Sequence, residues 1–273
     1  MIEVKNLTKI YGNHVAVEDI SFTLEPGRIY GSLGPNGAGK STTMNIMTGY
    51  IAATGGEVII NGHNILDEPE EAKACIGYLP EIPPLYTEMT VEEYLKFAAK
   101  LKKIKKSELK DAVEEVIELT GLDEYRRRII ANLSKGYKQR VGLAQAVLGM
   151  PEIIILDEPT VGLDPRQIIE IRDLIKTLAK GHTVILSSHV LQEISAVCDH
   201  ILIIARGHIV ANDTPENLIK QYTNEKQMKL LVRGSIPDVK DALNRIEGVK
   251  NESVTANFIE KDAVDVMLEV ESD

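Results

Sequence analysis

Apolar and polar positions alternate over residues 1–10 (MIEVKNLTKI) and again over residues 15–24 (VAVEDISFTL). This period of two predicts two strands before the turn at Pro26-Gly27. Residues 28–33 (RIYGSL) continue as a strand into a glycine-rich turn, and residues 39–49 predict a helix that stops at a glycine. GEVIING is a short strand closed by a turn. Residues 76–79 form another, ended by Pro80, Pro83 and Pro84.

The period changes at Thr90. TVEEYLKFAAKLKKI opens with a Thr cap and a Glu three residues on, a capping-box pattern. Residues 107–119 repeat it, with Ser107 as the expected cap and Leu109, Val113, Val116 and Ile117 on one face. Residues 135–148 make a third helix, so residues 85–150 are a helical block. After Pro151 the strands return: EIIILD, a helix over 165–178, HTVILSS, a helix from Leu191, and a hairpin with Arg206-Gly207 at its turn. Apolar strands alternating with helices imply a parallel sheet in an α/β core, with the helical block inserted between its halves. A helix beginning at Thr214-Pro215 and a polar linker over 223–226 follow. The tail reads strand (228–232), helix (237–246), strand (253–258), strand (263–270).

Composition narrows the classes. The chain has 273 residues, 44% hydrophobic and 26% charged, enough for a real core and unlike a disordered chain. Against 41 Asp and Glu stand 31 Lys and Arg, a net charge of −10. Such a chain has no general attraction for nucleic acid or an anionic bilayer, so a local site must hold any phosphate it binds. Two cysteines, Cys75 and Cys198, exclude a disulfide framework and a multi-cysteine zinc site; both read as small buried residues. No apolar run reaches membrane-span length, and the N-terminus lacks the pattern of a signal peptide. The chain is expected to stay in the cytosol and to reach a membrane only by docking on something else.

Two segments carry chemistry. Gly34-Pro35-Asn36-Gly37-Ala38-Gly39-Lys40-Ser41 fits G-x-x-x-x-G-K-[ST] between a strand and a helix. Its glycines let backbone N–H groups turn inward around a polyphosphate, and the helix N-terminus faces the same anion. Lys40 would reach the β- and γ-phosphates and Ser41 would hold Mg²⁺. Residues 153–158 are an apolar strand ending in Asp157-Glu158. Asp157 suits the Mg²⁺ shell, directly or through water, and Glu158, pointing elsewhere, suits polarisation of an attacking water.

With these motifs the chain resembles the ATP-binding cassette ATPases of ABC transporters. Leu133-Ser134-Lys135-Gly136-Tyr137-Lys138-Gln139-Arg140 is similar to their signature motif, with Lys135 and Tyr137 differing from the commonest LSGGQ form. Gly162-Leu163-Asp164 resembles the D-loop, and His189, after Ser187-Ser188, the switch histidine. Glu81 stands where the family usually has the Q-loop glutamine, and Tyr11 where an aromatic stacks on adenine. Taken singly, His189 also reads as a structural histidine, Tyr11 as a strand aromatic, Ser134 as a helix cap and Glu81 as a solvent-facing turn residue.

The resemblance covers residues 1 to about 222 and is nearest to second-type exporters, similar to drug, antibiotic, sodium-extrusion and gliding-motility systems. It implies a P-loop NTPase core with a mostly parallel sheet, an N-terminal antiparallel β-subdomain, an inserted helical subdomain and a small C-terminal α+β extension over 223–273. It also implies ATP and Mg²⁺, a head-to-tail dimer with a second copy, and a separate transmembrane permease docked at the 81–86 loop and the helical block. The protein would then sit at the inner face of the cell membrane. One chain's Gly34 to Thr42, Asp157 and Tyr11 would face Ser134 and Gly136 of the other across each ATP, and Asp164 of the D-loop would also belong to the nucleotide site. Glu158 would be the general base, His189 would contact the γ-phosphate, and Glu81 would join the metal shell. A non-transport ABC ATPase and a nucleotide-binding module without turnover are the alternatives. The first lacks the expected coiled-coil insert or second cassette, and the second is at odds with an intact Asp157-Glu158.

Overall fold

The computed structural model describes residues 1–223, 225–246, 249–256 and 263–271. They form two compact units, Met1–Pro215 and Glu216–Asp273. The first begins with β1 (Ile2–Tyr11), β2 (His14–Leu24) and β3 (Ile29–Leu33), then α1 (Lys40–Met47), β4 (Gly55–Ile60), β5 (His63–Asn64), α2 (Pro69–Ala74) and β6 (Ile76–Leu79). The chain next runs through α3 (Val91–Leu101), α4 (Leu109–Leu119) and α5 (Lys135–Val147). It returns with β7 (Ile153–Leu156), α6 (Pro165–Leu178), β8 (Thr183–Ser188), α7 (Leu191–Ser195), β9 (His200–Ala205) and β10 (His208–Asp213).

Two sheets result. One is antiparallel, in the order β2-β1-β4-β5. The other runs β10-β9-β3-β8-β7-β6 and is parallel except for the β9–β10 hairpin. Every residue of β3, β7 and β8 is buried, as expected for strands covered on both faces. The register of β1 on β2 shifts three times, and at the first shift Asn6 takes a left-handed conformation, so that Ile2, Val4 and Leu7 are all buried. The Arg206-Gly207 turn has φ of 50° and 80°, the primed geometry that suits a two-residue hairpin.

Among the three inserted helices, α3 starts as expected: Thr90 Oγ1 accepts from Glu93 N–H, and Glu93 Oε2 accepts from Thr90 N–H. α4 does not. Residues 105–108 close a turn through Glu108 N–H to Lys105 O, so the helix begins at Leu109 with no side-chain cap and Ser107 is not its cap. Its predicted apolar face holds, with Val113, Val116 and Ile117 buried. Helix α5 packs hard on β6: a Cβ at Gly77 would lie 2.2 Å from Ala146 O. Lys102 caps the C-terminus of α5 by donating to Ala146 O and Leu148 O at 2.8 Å, and desolvation of its ammonium at that helix end lowers it to about 8.

Helix α8 (Pro215–Thr223) starts on the last residue of the first unit, and the second unit holds the rest of it with β11 (Glu225–Arg233), α9 (Ile236–Leu243), β12 (Val249–Ala256) and β13 (Ala263–Glu271). Its antiparallel sheet has the order β11-β13-β12, and α9 packs Val239 and Leu243 on Val264, Val266 and Leu268. The linker expected over 223–226 is narrowed from both sides: helix α8 runs to Thr223 and β11 starts at Glu225, and residue 224 lies outside the described residues. The expected strand end at Phe258 lies outside the described residues. Cys198 is buried, which pushes its thiol well up, but Cys75 at the end of α2 is only half-buried, contrary to expectation. Among the described residues, no helix is long and apolar enough to cross a membrane.

Candidate functional site

The C-terminal edge of the parallel sheet carries the site. β3 ends at Leu33, and residues 34–39 loop from it into α1. The loop has no room for side chains at two glycines: a Cβ would lie 2.1 Å from Ile204 O at Gly34 and 2.6 Å from Ala16 O at Gly39. Gly37 and Gly39 also have positive φ, 77° and 108°. Lys40 is 5% exposed; its Nζ donates to Gly34 O at 2.8 Å and Pro35 O at 3.2 Å. The same ammonium lies 3.7 Å from Glu158 Oε1.

β7 and β8 are in parallel register, with Leu156 beside Leu186, so the residues just past the end of β7 meet the last residues of β8. Ser187 Oγ donates to Asp157 Oδ1 at 2.5 Å and accepts Glu158 N–H at 2.8 Å. Ser41 Oγ donates to the same Asp157 oxygen at 3.1 Å. Glu158 is held at φ 47°, which turns its side chain away from that of Asp157 and toward Lys40 and His189. His189 Nδ1 is 3.0 Å from Glu158 Oε2 and 3.2 Å from Oε1. A 6%-exposed carboxylate between an ammonium and an imidazole can take a proton from a water in the cleft.

That cleft has a volume of about 500 Å³. Asn36 to Thr42, Glu158 and His189 line it on one side. Tyr11 lines it too, 47% exposed, with Lys9 Nζ 5.0 Å from its ring centroid. Glu81 is exposed on its wall, and among the described residues no hydrogen bond or ion pair engages it. Glu81 also borders an adjoining groove of about 650 Å³ with the exposed Tyr50 and Ile82.

Ser134, Gly136 and Asp164 do not line this cleft. Ser134 caps α5, accepting Tyr137 N–H, and Asp164 caps α6, accepting Gln167 N–H at 2.9 Å. A Cβ at Gly136 would lie 2.6 Å from Gln167 Oε1, so the signature segment packs directly on the D-loop helix. The sequence reading missed His14, Ala16 and Val161 in the cleft lining. His14 pairs with Tyr11 across the β1–β2 turn, and that turn was the available signal.

Among the described residues, no group of three or more His, Cys, Asp or Glu could hold a metal alone. Mg²⁺ held mainly by phosphates and water needs only one or two protein oxygens. Ser41 Oγ and Asp157 Oδ1, 3.1 Å apart, supply a donor set of that kind.

The chain matches the family described as "ABC transporter" over residues 17–161. It is 40% identical to the bacitracin transport ATP-binding protein of Bacillus licheniformis, over 84% of this chain and 75% of that protein. It is 37% identical to the linearmycin resistance ATP-binding protein of Bacillus subtilis strain 168, over 86% and 76%. The solved ATP-binding subunit of an ABC transporter superposes with a TM-score of 0.74 at 33% identity, covering 81% of this chain and 93% of that one. A dimeric ATP-binding cassette in a post-hydrolysis state with ADP and Pi superposes at 0.71 with 26% identity, covering 78% and 98%.

Proposed function

Because this chain belongs to the ABC transporter family and is an ATP-binding, ATP-hydrolysing transporter subunit, we propose that it drives a separate permease in an exporter. ATP-dependent closure of a head-to-tail dimer supplies the drive. The observation that carries this reading is the meeting of Lys40, Glu158 and His189 in one cleft floored by the phosphate loop. The export direction is supported by relatives named for bacitracin transport and linearmycin resistance. The protein then works at the inner face of the membrane, through its permease. The exposed Ile82 and Tyr50 beside Glu81 form the apolar surface we assign to that contact.

The catalytic work is assigned to residues 1–222; none of the site residues lies beyond them. Tyr11 stacks on the adenine, with Lys9 holding the opposite face of its ring. Backbone N–H groups within residues 36–42 receive the phosphates, and Lys40 exchanges its carbonyl partners for the β- and γ-phosphates. Ser41 Oγ and Asp157 Oδ1 would hold Mg²⁺, which would supply positive charge against the phosphates. Glu158 accepts the proton of the attacking water. His189 contacts the γ-phosphate and stabilises the charge that develops there. Ser134, Gly136 and Asp164 serve the partner's ATP, which agrees with their position outside this chain's own cleft.

A mixing experiment tests the composite site. Lys40→Ala and Ser134→Ala chains are each expected to be inactive. In a mixed dimer one site keeps both groups. Mixing should restore up to about a quarter of wild-type turnover, since about half the dimers are mixed and each has one intact site of two. No recovery in verified mixed dimers would reject complementation across the interface.

Glu81 is proposed to join the metal shell when the dimer closes, since a carboxylate beside an anionic phosphate is otherwise repelled. Glu81→Gln is expected to stay active but to require more Mg²⁺ for half-maximal ATPase. Superimposable Mg²⁺ titrations of variant and wild type would remove Glu81 from the metal shell.

A further inference from the structure

Two hydroxyls converge on one carboxylate beside the Glu158–His189 pair. Glu193 Oε2, on α7, accepts from Thr160 Oγ1 at 2.6 Å and from Ser188 Oγ at 3.0 Å. Thr160 follows Glu158 by two residues, in the turn that the left-handed Glu158 begins. Ser188 immediately precedes His189, and its Oγ also accepts Val190 N–H at 3.1 Å. Thr160 is 7% and Ser188 1% exposed, so both hydroxyls need protein partners. An ionised carboxylate only accepts, which fixes both protons on Glu193 and leaves a Ser188 lone pair for Val190 N–H. One oxygen therefore ties the chain after Glu158 to the chain before His189. Thr160, Ser188 and Glu193 do not line the nucleotide cleft, so this carboxylate acts through its neighbours.

We propose that Glu193 is a positioning residue for ATP hydrolysis, setting the distance between Glu158 and His189. It rests on the reading of Glu158 as general base. The need for such a tie is physical. A non-glycine residue at φ 47° is held against its own preference, and His189 stands half-exposed on a short loop. Ser187 anchors the Glu158 N–H from β8. It does not constrain the turn beyond Glu158 or the loop beyond Ser188; Glu193 does both. A general base must stay within about 2.6–3.2 Å of the proton it takes, and a misplacement of about 1 Å can cost about 100-fold.

The test is steady-state ATPase of the full chain, paired with binding of a fluorescent ATP analogue. Glu193→Ala is expected to lower kcat about 10- to 100-fold, with KM and analogue affinity within about twofold of wild type. Glu193→Gln keeps an acceptor oxygen for both hydroxyls and should recover most of that loss. Thr160→Val, which deletes one donor, should also lower kcat, and should add little to Glu193→Ala because the two act through one contact. It also serves where Glu193→Ala fails to fold. Wild-type kcat in Glu193→Ala or Thr160→Val overturns the proposal, as does a loss of analogue binding parallel to the loss of kcat. Glu158→Gln is run alongside. If it is inactive while Glu193→Ala is fully active, this proposal alone fails; if Glu158→Gln turns over normally, the reading of the site fails and takes this proposal with it.

Discussion

Glu158→Gln is expected to cut ATP turnover by roughly 100- to 10,000-fold while ATP remains bound. The amide fills the same buried volume beside Lys40 and His189 but cannot take a proton from water. It also removes a negative charge that would face the γ-phosphate, so nucleotide affinity should hold or rise. On the proposed mechanism, in which dimer closure precedes hydrolysis, the variant should accumulate as an ATP-dependent dimer in size-exclusion chromatography. Wild-type turnover would remove Glu158 from the role of general base.

Lys40→Ala should fail earlier, at binding. The Lys40 ammonium is spent on Gly34 O and Pro35 O, two carbonyls of the loop that would hold the phosphates. These are ordinary acceptors that a polyphosphate outcompetes. Losing two charge-assisted contacts of about 1.5–3 kcal/mol each should weaken ATP binding at least about 100-fold. The substitution also leaves the buried Glu158 without the cation 3.7 Å away, so the phosphates would then meet an uncompensated carboxylate. Calorimetric titration with ATP measures the effect, with the unfolding temperature recorded to exclude a misfolded variant. Wild-type affinity in a folded Lys40→Ala chain would reject the phosphate role. Together the two variants separate binding from chemistry: one should hold ATP without turnover, the other should do neither.

Much of the site was legible because its determinants are contiguous. Eight consecutive residues, Gly34 to Ser41, specify the phosphate loop, since glycine freedom, the lysine and the helix start all act within one turn. The buried strand before Asp157-Glu158 and the cap at Thr90 are equally local. The failures were local patterns that a neighbour outweighed. Ser107 has cap chemistry, but the turn closed on Lys105 O starts α4 two residues later. The polar stretch 223–226 reads as a linker from composition alone, and α8 and β11 extend into it from its two sides.

The sequence by itself determined the order of strands and helices, the phosphate loop, and the residue types available for acid–base and metal chemistry. Those follow from hydrophobic period, caps and short contiguous motifs. The expected split of the two adjacent carboxylates, Asp157 to the metal side and Glu158 elsewhere, acquires its partners only in the tertiary structure, Ser41 and Ser187 for one and Lys40 and His189 for the other. That depends on the left-handed backbone at Glu158 and on a serine thirty positions away. The same holds for Glu193, an unremarkable acid on a short helix until α7 brings it between Thr160 and Ser188. Parallel pairing of β7 and β8 sets these contacts. It joins residues about thirty apart, and no pattern within either segment states which strand will be the other's neighbour.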